Sequence, residues 1–184
     1  MKYDISWLIQ QYNTNQPLKY LFFWGHQPSK DGMVTQSCFS QWWPSLFEVE
    51  KVKYPTAEHW MMCKKAALFN NEDLVKKILE TESPAEAKKI GRLITSFDPA
   101  IWDEHKFEIV VKGNYHKFSQ SKSLKDYLIN TNNRILAEAS PVDNIWGIGM
   151  ASDDANIKNP LLWKGENLLG FALMKVRELL TNEN

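Results

Sequence analysis

The chain has 184 residues, enough for one domain with a real core, and its 43% hydrophobic and 24% charged residues are ordinary for a soluble globular protein. Lysine plus arginine and aspartate plus glutamate both number 22, so the net charge is zero. This balance argues against long-range attraction to a nucleic-acid backbone or an anionic membrane. No segment approaches the roughly 18 apolar residues of a membrane span. Because the first six residues hold no long apolar run, we expect no secretory signal there.

The predicted elements before Thr56 are short. A helix is predicted at Tyr3–Tyr12, in an otherwise polar N-terminal stretch. The aromatic run Tyr20–Trp24 is typical of a buried strand. Residues 25–36 are loop-like, and the alternating segments Leu46–Val49 and Lys51–Tyr54 predict a small hairpin.

Helices dominate the prediction from Thr56 onward. Thr56 is expected to cap a helix that ends near Phe69, and Asn71 a second that ends near Glu80. The next helix has a strong start signal and ends near Gly91. That signal combines an N-cap serine, a proline at the first helical position and a glutamate for a capping box, in Ser83-Pro84-Ala85-Glu86.

The longest predicted helix opens at Asp98-Pro99 and reaches about Gln120, with Gly113 allowing a kink or close packing inside it. A short helix starting at Ser123, a strand at 134–138 and a last helix from about Asn167 to Thr181 follow. Residues 140–165 form an irregular loop, and a long loop of this kind is often functional. We therefore expect it to line a site together with the helix that carries Glu58.

Glu58 is the strongest candidate acid in the sequence. At about 100° per residue it shares a side of its helix with Met61, Met62, Lys65 and Phe69. An apolar face tends to be buried, and a buried lone carboxylate is costly unless it is paired or its pKa rises. Glu58 is therefore either a first-turn residue stabilised by the helix dipole or a catalytic carboxylate.

Each of the other candidate site residues also has two interpretations. Lys65 is either a solvated helix lysine or a partner for Glu58 or a ligand phosphate. Trp102 is a core residue or a stacking surface, and Arg92 is a surface charge or an anion contact. Asp143, in the loop with Trp146 and Gly147, either lines a site or caps a turn.

The sequence carries no signature of a metal or cofactor site. Two ligands four apart, His59 and Cys63, rarely hold a metal without a third. Nucleophile-elbow, P-loop and dinucleotide fingerprints do not occur. We expect neither metal nor cofactor, and Cys38 and Cys63 are expected to be reduced structural thiols of a cytoplasmic protein.

Taken in order, the motifs resemble those of the NADAR (YbiA-like) family across about Leu21 to Leu180. The ordered set is more specific than any single motif. It comprises Phe39-Ser40-Gln41-Trp42-Trp43, Tyr54-Pro55-Thr56-Ala57-Glu58-His59, Lys65, Gly91-Arg92, Trp102, Asp143-Asn144-Ile145-Trp146-Gly147-Ile148-Gly149 and Gly165-Glu166-Asn167-Leu168-Leu169-Gly170.

The resemblance implies a compact, mainly helical α+β single domain with a small antiparallel β element, here at 21–184 after an extension at 1–20. It also implies N-glycosidase activity on a ribosyl–nitrogen bond. Glu58 matches the catalytic glutamate, and Trp102 and Asp143 match the other active-site tryptophan and acid. Lys65, Arg92 and Asn167 match positions near the ribose and phosphate, and we add Trp146 and Gly147 as substrate contacts.

The resemblance leaves the substrate open. It is either a riboflavin-pathway phosphoribosylamino-pyrimidine or an ADP-ribosylated guanine, free or in a nucleic acid, and no membrane is expected as a partner. Gln41 departs from the asparagine of shorter members, and residues 25–36 make this a longer variant. Two other hypotheses are a module that binds ADP-ribose or a nucleotide without cleaving it, and a protein–protein interaction domain.

Overall fold

The structure is a computed structural model that describes residues 2–14 and 17–183. Residues 1, 15, 16 and 184, which the predicted extension and domain include, lie outside the described residues. Within the described part, the mainly helical α+β class is confirmed by seven α-helices and four short strands. They are α1 (Ile5–Asn13), β1 (Tyr20–Phe23), β2 (Phe47–Val49), β3 (Val52–Tyr54), α2 (Ala57–Leu68), α3 (Glu72–Glu80), α4 (Pro84–Gly91), α5 (Pro99–Ser119), α6 (Lys122–Ile129), β4 (Ile135–Glu138) and α7 (Leu168–Asn182).

The chain divides into two compact units. One comprises the described residues up to Ser40 together with those from Ser123 onward, and the other comprises Gln41–Lys122. The first unit therefore contains α1, β1, α6 except its first residue, β4 and α7. The second contains the hairpin and the helices α2 to α5.

The first unit is built on a parallel pair of strands. β1 pairs with β4 in a register that sets Tyr20 opposite Ile135 and Phe23 opposite Glu138. The helix α7 packs on β4, and every residue from Leu168 to Met174 is buried. Parallel strands with apolar runs are usually covered, which fits the buried side chains of Ile135, Leu136 and Ala137.

The second unit is built around α2. This helix packs against α3, α4 and α5, and every residue from Ala57 to Cys63 is buried. The predicted hairpin is confirmed as the antiparallel pair β2–β3, in which Phe47 faces Tyr54. Gly113 allows close packing, because an added Cβ would overlap the ring of Trp60.

The helix starts follow the predicted capping chemistry, with one exception. Thr56, Ser83 and Asp98 all accept backbone N–H groups of the helices they precede. Asn71 stands at the N-cap of α3 but its side chain makes no capping hydrogen bond. Its amide instead binds the carbonyl oxygens of Phe69, at 2.6 Å, and Thr95, at 3.2 Å.

The N-terminal stretch has a place in the first unit. Leu8 on α1 is fully buried, and the Lys2 Nζ lies 2.7 Å from a carboxylate oxygen of Glu178 on α7. The boundary that sets residues 1–20 apart as an extension stays a prediction. No helix in the described ranges is long and apolar enough to cross a membrane.

Candidate active site

Glu58 lies in the first turn of α2 and is 2% exposed. Its backbone N–H donates to the carbonyl oxygen of Gln41 at 3.0 Å, which fixes the start of the helix. A carboxylate there interacts favourably with the positive end of the helix dipole. The opposite side of α2 is buried as well, so the burial of Glu58 follows from the central place of the whole helix.

Gln41 belongs to the same buried framework. It is 7% exposed, and its side-chain Nε2 donates to Oδ1 of Asn114 at 3.2 Å. Asn114 is fully buried on α5 and donates in turn to the carbonyl oxygen of Val110 at 2.9 Å. The longer amide of Gln41 thus links the segment before the hairpin to α5, while its main chain supports Glu58.

Lys65 and Trp102 are brought together. Lys65 is half-buried on α2, and its Nζ lies 5.2 Å from the centre of the Trp102 ring on α5. Burial lowers the pKa of Lys65, while the negative charge of Glu58 opposes that shift. Glu58, Lys65 and Trp102 therefore form one electrostatically connected group: a buried carboxylate, an ammonium and an aromatic face.

Phe97 joins this group and was not among the predicted site residues. Its ring centre lies 4.2 Å from the Lys65 Nζ and 5.2 Å from the Phe69 ring. The loop before it is pinned, because the Thr95 N–H donates to Oδ1 of Asn71 at 3.1 Å. Ser96 then takes a left-handed conformation, with φ 56°. The sequence signal that could have identified Phe97 is its position as an aromatic residue directly before the helix cap Asp98.

Arg92 is the fourth predicted site residue in the second unit. It follows the last residue of α4, and its side chain is exposed. Gly91 before it is the contact point of α4 with α2, because an added Cβ would overlap Sδ of Met62. The role of Arg92 as a phosphate contact stays a prediction.

Asp143 caps a turn in the first unit. Its Oδ1 accepts the backbone N–H groups of Ile145, at 2.9 Å, and Trp146, at 2.8 Å. This geometry is the turn-capping alternative derived from the sequence, and it explains an aspartate here without any ligand. The side chain is half-buried.

The loop after Asp143 binds the start of α7. The carbonyl oxygens of Ile145 and Trp146 accept the N–H groups of Leu168 and Leu169, each at 3.1 Å. A helix N-terminus has N–H groups without partners inside the helix, and here loop carbonyls satisfy them. Gly147 is packed among backbone oxygens, and an added Cβ would lie 2.9 Å from the carbonyl oxygen of Asp143.

The side chain of Asn167 hydrogen-bonds the backbone of β4, as a neighbouring strand would. It is fully buried with φ 55°, and its backbone N–H donates to the Gly147 carbonyl oxygen at 3.0 Å. Its side-chain Oδ1 accepts from the Glu138 N–H at 3.0 Å, and Nδ2 donates to the Leu136 carbonyl oxygen at 2.9 Å. These bonds give Asn167 a structural role, and the substrate contact predicted for it stays a prediction.

The predicted site residues thus divide between the units. The second unit holds Glu58, Lys65, Arg92 and Trp102, and the first holds Asp143, Trp146, Gly147 and Asn167. Among the residues that the structure describes, no three His, Cys, Asp or Glu side chains are grouped to hold a metal ion. Burial raises the pKa of Cys63 to about 12, so this thiol is protonated at neutral pH.

The sequence is similar to known proteins over most of its length. Residues 22–181 match the family described as the NADAR domain. N-glycosidase R617 of Acanthamoeba polyphaga mimivirus is 43% identical over 165 residues, which cover 87% of this chain and 95% of that protein. The riboflavin biosynthesis protein PYRR of Zea mays is 31% identical over 131 residues, 67% of this chain but 19% of that protein.

A solved structure is similar in fold. The NMR structure of the Escherichia coli protein YbiA superposes with a TM-score of 0.71 at 27% sequence identity. The match covers 90% of this chain and 86% of that one.

Proposed function

Since this chain belongs to the NADAR domain family, we propose that its Glu58 carboxylate assists hydrolysis of the C1′–N bond of a phosphorylated ribosyl substrate. The chain is an N-glycosidase, the activity for which its mimiviral relative is named. The observation that supports the residue assignment is the group on α2 and α5 that joins the buried Glu58 to the half-buried Lys65 and Trp102.

The chemistry needs a negative group near the sugar. When the C1′–N bond breaks, its electron pair leaves with the nitrogen and positive charge develops on the ribose ring, as in glycoside hydrolysis. A fixed carboxylate stabilises that charge. Glu58 also accepts a proton from the water whose oxygen bonds to C1′, and the leaving nitrogen takes up a proton.

Other predicted site residues, together with Phe97, are proposed to bind the substrate. Trp102 and Phe97 offer aromatic faces on which a sugar or a base stacks. Lys65, held over both rings, supplies a positive charge for a ribose phosphate, and Arg92 supplies a second as a planar fork. Asp143 is proposed to hydrogen-bond the ribose or to assist with the proton.

We favour a small phosphoribosylamino-pyrimidine as the substrate. The zero net charge gives no long-range attraction to nucleic acid, and one relative is named for riboflavin biosynthesis. ADP-ribosylated guanine is the second candidate. A release assay that offers both substrates side by side distinguishes them by the base that appears.

Substitution of Glu58 tests the mechanism. We expect Glu58→Gln to lower kcat by about 10²–10⁴-fold, the usual contribution of a positioned acid–base group, because the amide neither carries the charge nor accepts the proton. The measurement is base release at saturating substrate, with the melting temperature of each variant determined in parallel.

Glu72→Gln is the matched control, because Glu72 also lies in the first turn of a helix but is exposed. It should release base at the rate of the unsubstituted chain. A folded Glu58→Gln variant with near-normal turnover would remove Glu58 from the mechanism. Binding of ADP-ribose by the unsubstituted chain with no base released from any substrate would instead identify a binding module.

A further inference from the structure

A cavity of about 340 Å³ opens on the second unit, on a side of α2 away from Glu58. It is lined by the hairpin turn, by α2 and by one face of α5: Val49, Glu50, Trp60, Lys64, Ile109, Lys112 and His116. Its volume falls at the lower end of the range for small-molecule sites. Neither Glu58 nor Lys65 lines it.

Helix geometry separates this cavity from the Glu58 group. Trp60 and Lys64 are four residues apart and share one face of α2. Glu58 precedes Trp60 by two residues, which is about 200° around the helix. The proposed active site and this cavity therefore use different faces of the same helix.

The Trp60 ring, which lines the cavity, is held by contacts with α5. The indole N–H of Trp60 donates to the carbonyl oxygen of Ile109 at 2.8 Å, and the missing Cβ of Gly113 admits the ring. The Nζ of Lys64 lies 4.6 Å from the centre of the Trp60 ring, and the His116 ring centre lies 5.7 Å from it. These contacts hold an ammonium and an imidazole beside one aromatic surface.

The charges that line the cavity do not cancel. Lys64 and Lys112 contribute two positive charges and Glu50 one negative charge. Burial is the main cause that lowers the pKa of His116, so this ring is neutral at pH 7. Among the described residues, neither lysine has a carboxylate oxygen within 4 Å. A positive surplus therefore remains available to an anion.

The rim is held in a conformation that costs energy. The turn residues Glu50 and Lys51 both have positive φ, 52° and 67°, although neither is glycine or asparagine. Gln120, at the end of α5, clamps the strand before the turn. Its Oε1 accepts the Glu48 N–H at 2.9 Å, and its Nε2 donates to the Glu48 carbonyl oxygen at 2.7 Å. Strain of this kind persists where the surroundings enforce it, and it clusters at binding sites.

We propose that this cavity is a second ligand site, which binds the phosphate group of a small phosphate monoester between Lys64, Lys112 and His116. Two ammonium groups match the double negative charge of a phosphate, and Glu50 can accept a hydrogen bond from a hydroxyl group of the same ligand. The site is independent of the proposed function, because none of its lining residues belongs to the Glu58 group.

Glycerol 3-phosphate is a suitable probe, since it combines a phosphate with hydroxyl groups and lacks a ribosyl–nitrogen bond. In ¹H–¹⁵N spectra of the full chain, we expect saturable shifts at the amides of Val49, Glu50 and Gly113 and at the His116 ring. Glycerol alone should leave these signals in place. Lys112→Gln should weaken binding about fivefold, the upper end for an exposed ion pair.

Two further variants make the result specific. Lys53→Gln removes a lysine from the same hairpin without removing a lining side chain, and it should bind like the unsubstituted chain. Lys65→Gln removes the phosphate contact proposed near Glu58, and the shifts at Val49, Glu50 and His116 should persist in it. The proposal is overturned if these signals do not move at millimolar probe, or if Lys53→Gln weakens binding as much as Lys112→Gln.

Discussion

Asp143 has a structural role that is independent of any role in catalysis. One of its oxygens holds two backbone N–H groups of the turn that leads to Trp146. The loop that follows supplies carbonyl oxygens to the start of α7. Loss of the side chain would therefore destabilise the fold, so a loss of activity in such a variant would not by itself identify a catalytic carboxylate.

Two substitutions at this residue separate the roles. Asp143→Ala should lower the free energy of unfolding by about 1–2 kcal/mol, because two N–H groups lose their acceptor. Asp143→Asn keeps an oxygen acceptor, so it should retain stability while it loses base-release activity. Denaturant unfolding and the release assay are measured on both. An asparagine variant that is stable and fully active would leave Asp143 with its capping role alone.

Phe97 and Asn71 make tertiary contacts that local sequence patterns do not predict. Asn71 precedes a helix, as a capping residue does, but tertiary structure directs its side chain to Thr95. That contact fixes the loop which places Phe97 over Lys65. Local sequence reports capping propensity, whereas a competing hydrogen-bond partner distant in the chain becomes visible only in the fold.

At the scale of elements, the β2–β3 hairpin carries an unusual turn. Two-residue hairpin loops of this kind favour asparagine and glycine, because both central residues adopt positive φ. Glu50 and Lys51 occupy those positions here. The hairpin is therefore less stable than the same hairpin would be with asparagine and glycine in its turn.

Replacement of the turn should stabilise the second unit. With Glu50→Asn and Lys51→Gly together, we expect a gain of about 1–2 kcal/mol in the free energy of unfolding, because left-handed conformations are costly for other residues. Lys51→Ala is the matched control, since it removes the charge but keeps the Cβ, and it should bring no gain. If the double variant unfolds at the same denaturant concentration as the parent chain, the turn is not strained.

The elements that local signals define were predictable. Proline at the first helical position and an aspartate cap identified α5, and alternation identified the hairpin. The pairing of β1 with β4 was not predicted, because a parallel ladder depends on residues far apart in the chain. The apolar face of α2 predicted that Glu58 is buried, although the structure buries the opposite face as well. The structural bonds of Asn167 required the position of β4.

At the scale of the whole molecule, two histidines link stability to pH. His59 is fully buried, its Nε2 lies 3.0 Å from the Thr81 carbonyl oxygen, and its Nδ1 lies 2.8 Å from Oγ1 of Thr56. We assign the neutral ring with the proton on Nε2, because a carbonyl oxygen only accepts. Burial is the main cause that lowers the pKa of His59 and of His116 from the ordinary 6.5.

These lowered pKa values predict a chain that is sensitive to acid. Below pH 6.5 the unfolded chain binds protons that folded His59 and His116 do not, so stability present above pH 6.5 is lost as the pH falls. Each group contributes at most about 1.4 kcal/mol per pH unit between its unfolded and folded pKa values.

The measurement is the free energy of unfolding between pH 7.5 and 5. His59→Gln should flatten this curve, and exposed His105→Gln should leave it unchanged. Equal slopes in the parent chain and in His59→Gln would show that His59 does not carry the effect.

The loop that meets α7 has one more consequence, which concerns its length. Three successive carbonyl oxygens, from Ile145 to Gly147, bind N–H groups of Asn167, Leu168 and Leu169. Each bond fixes one residue of the loop against one residue at the start of α7. Most surface loops absorb an added or deleted residue, but here such a change within 145–147 or 167–169 would shift every partner at once. This irregular segment is therefore as intolerant of insertion as a central strand.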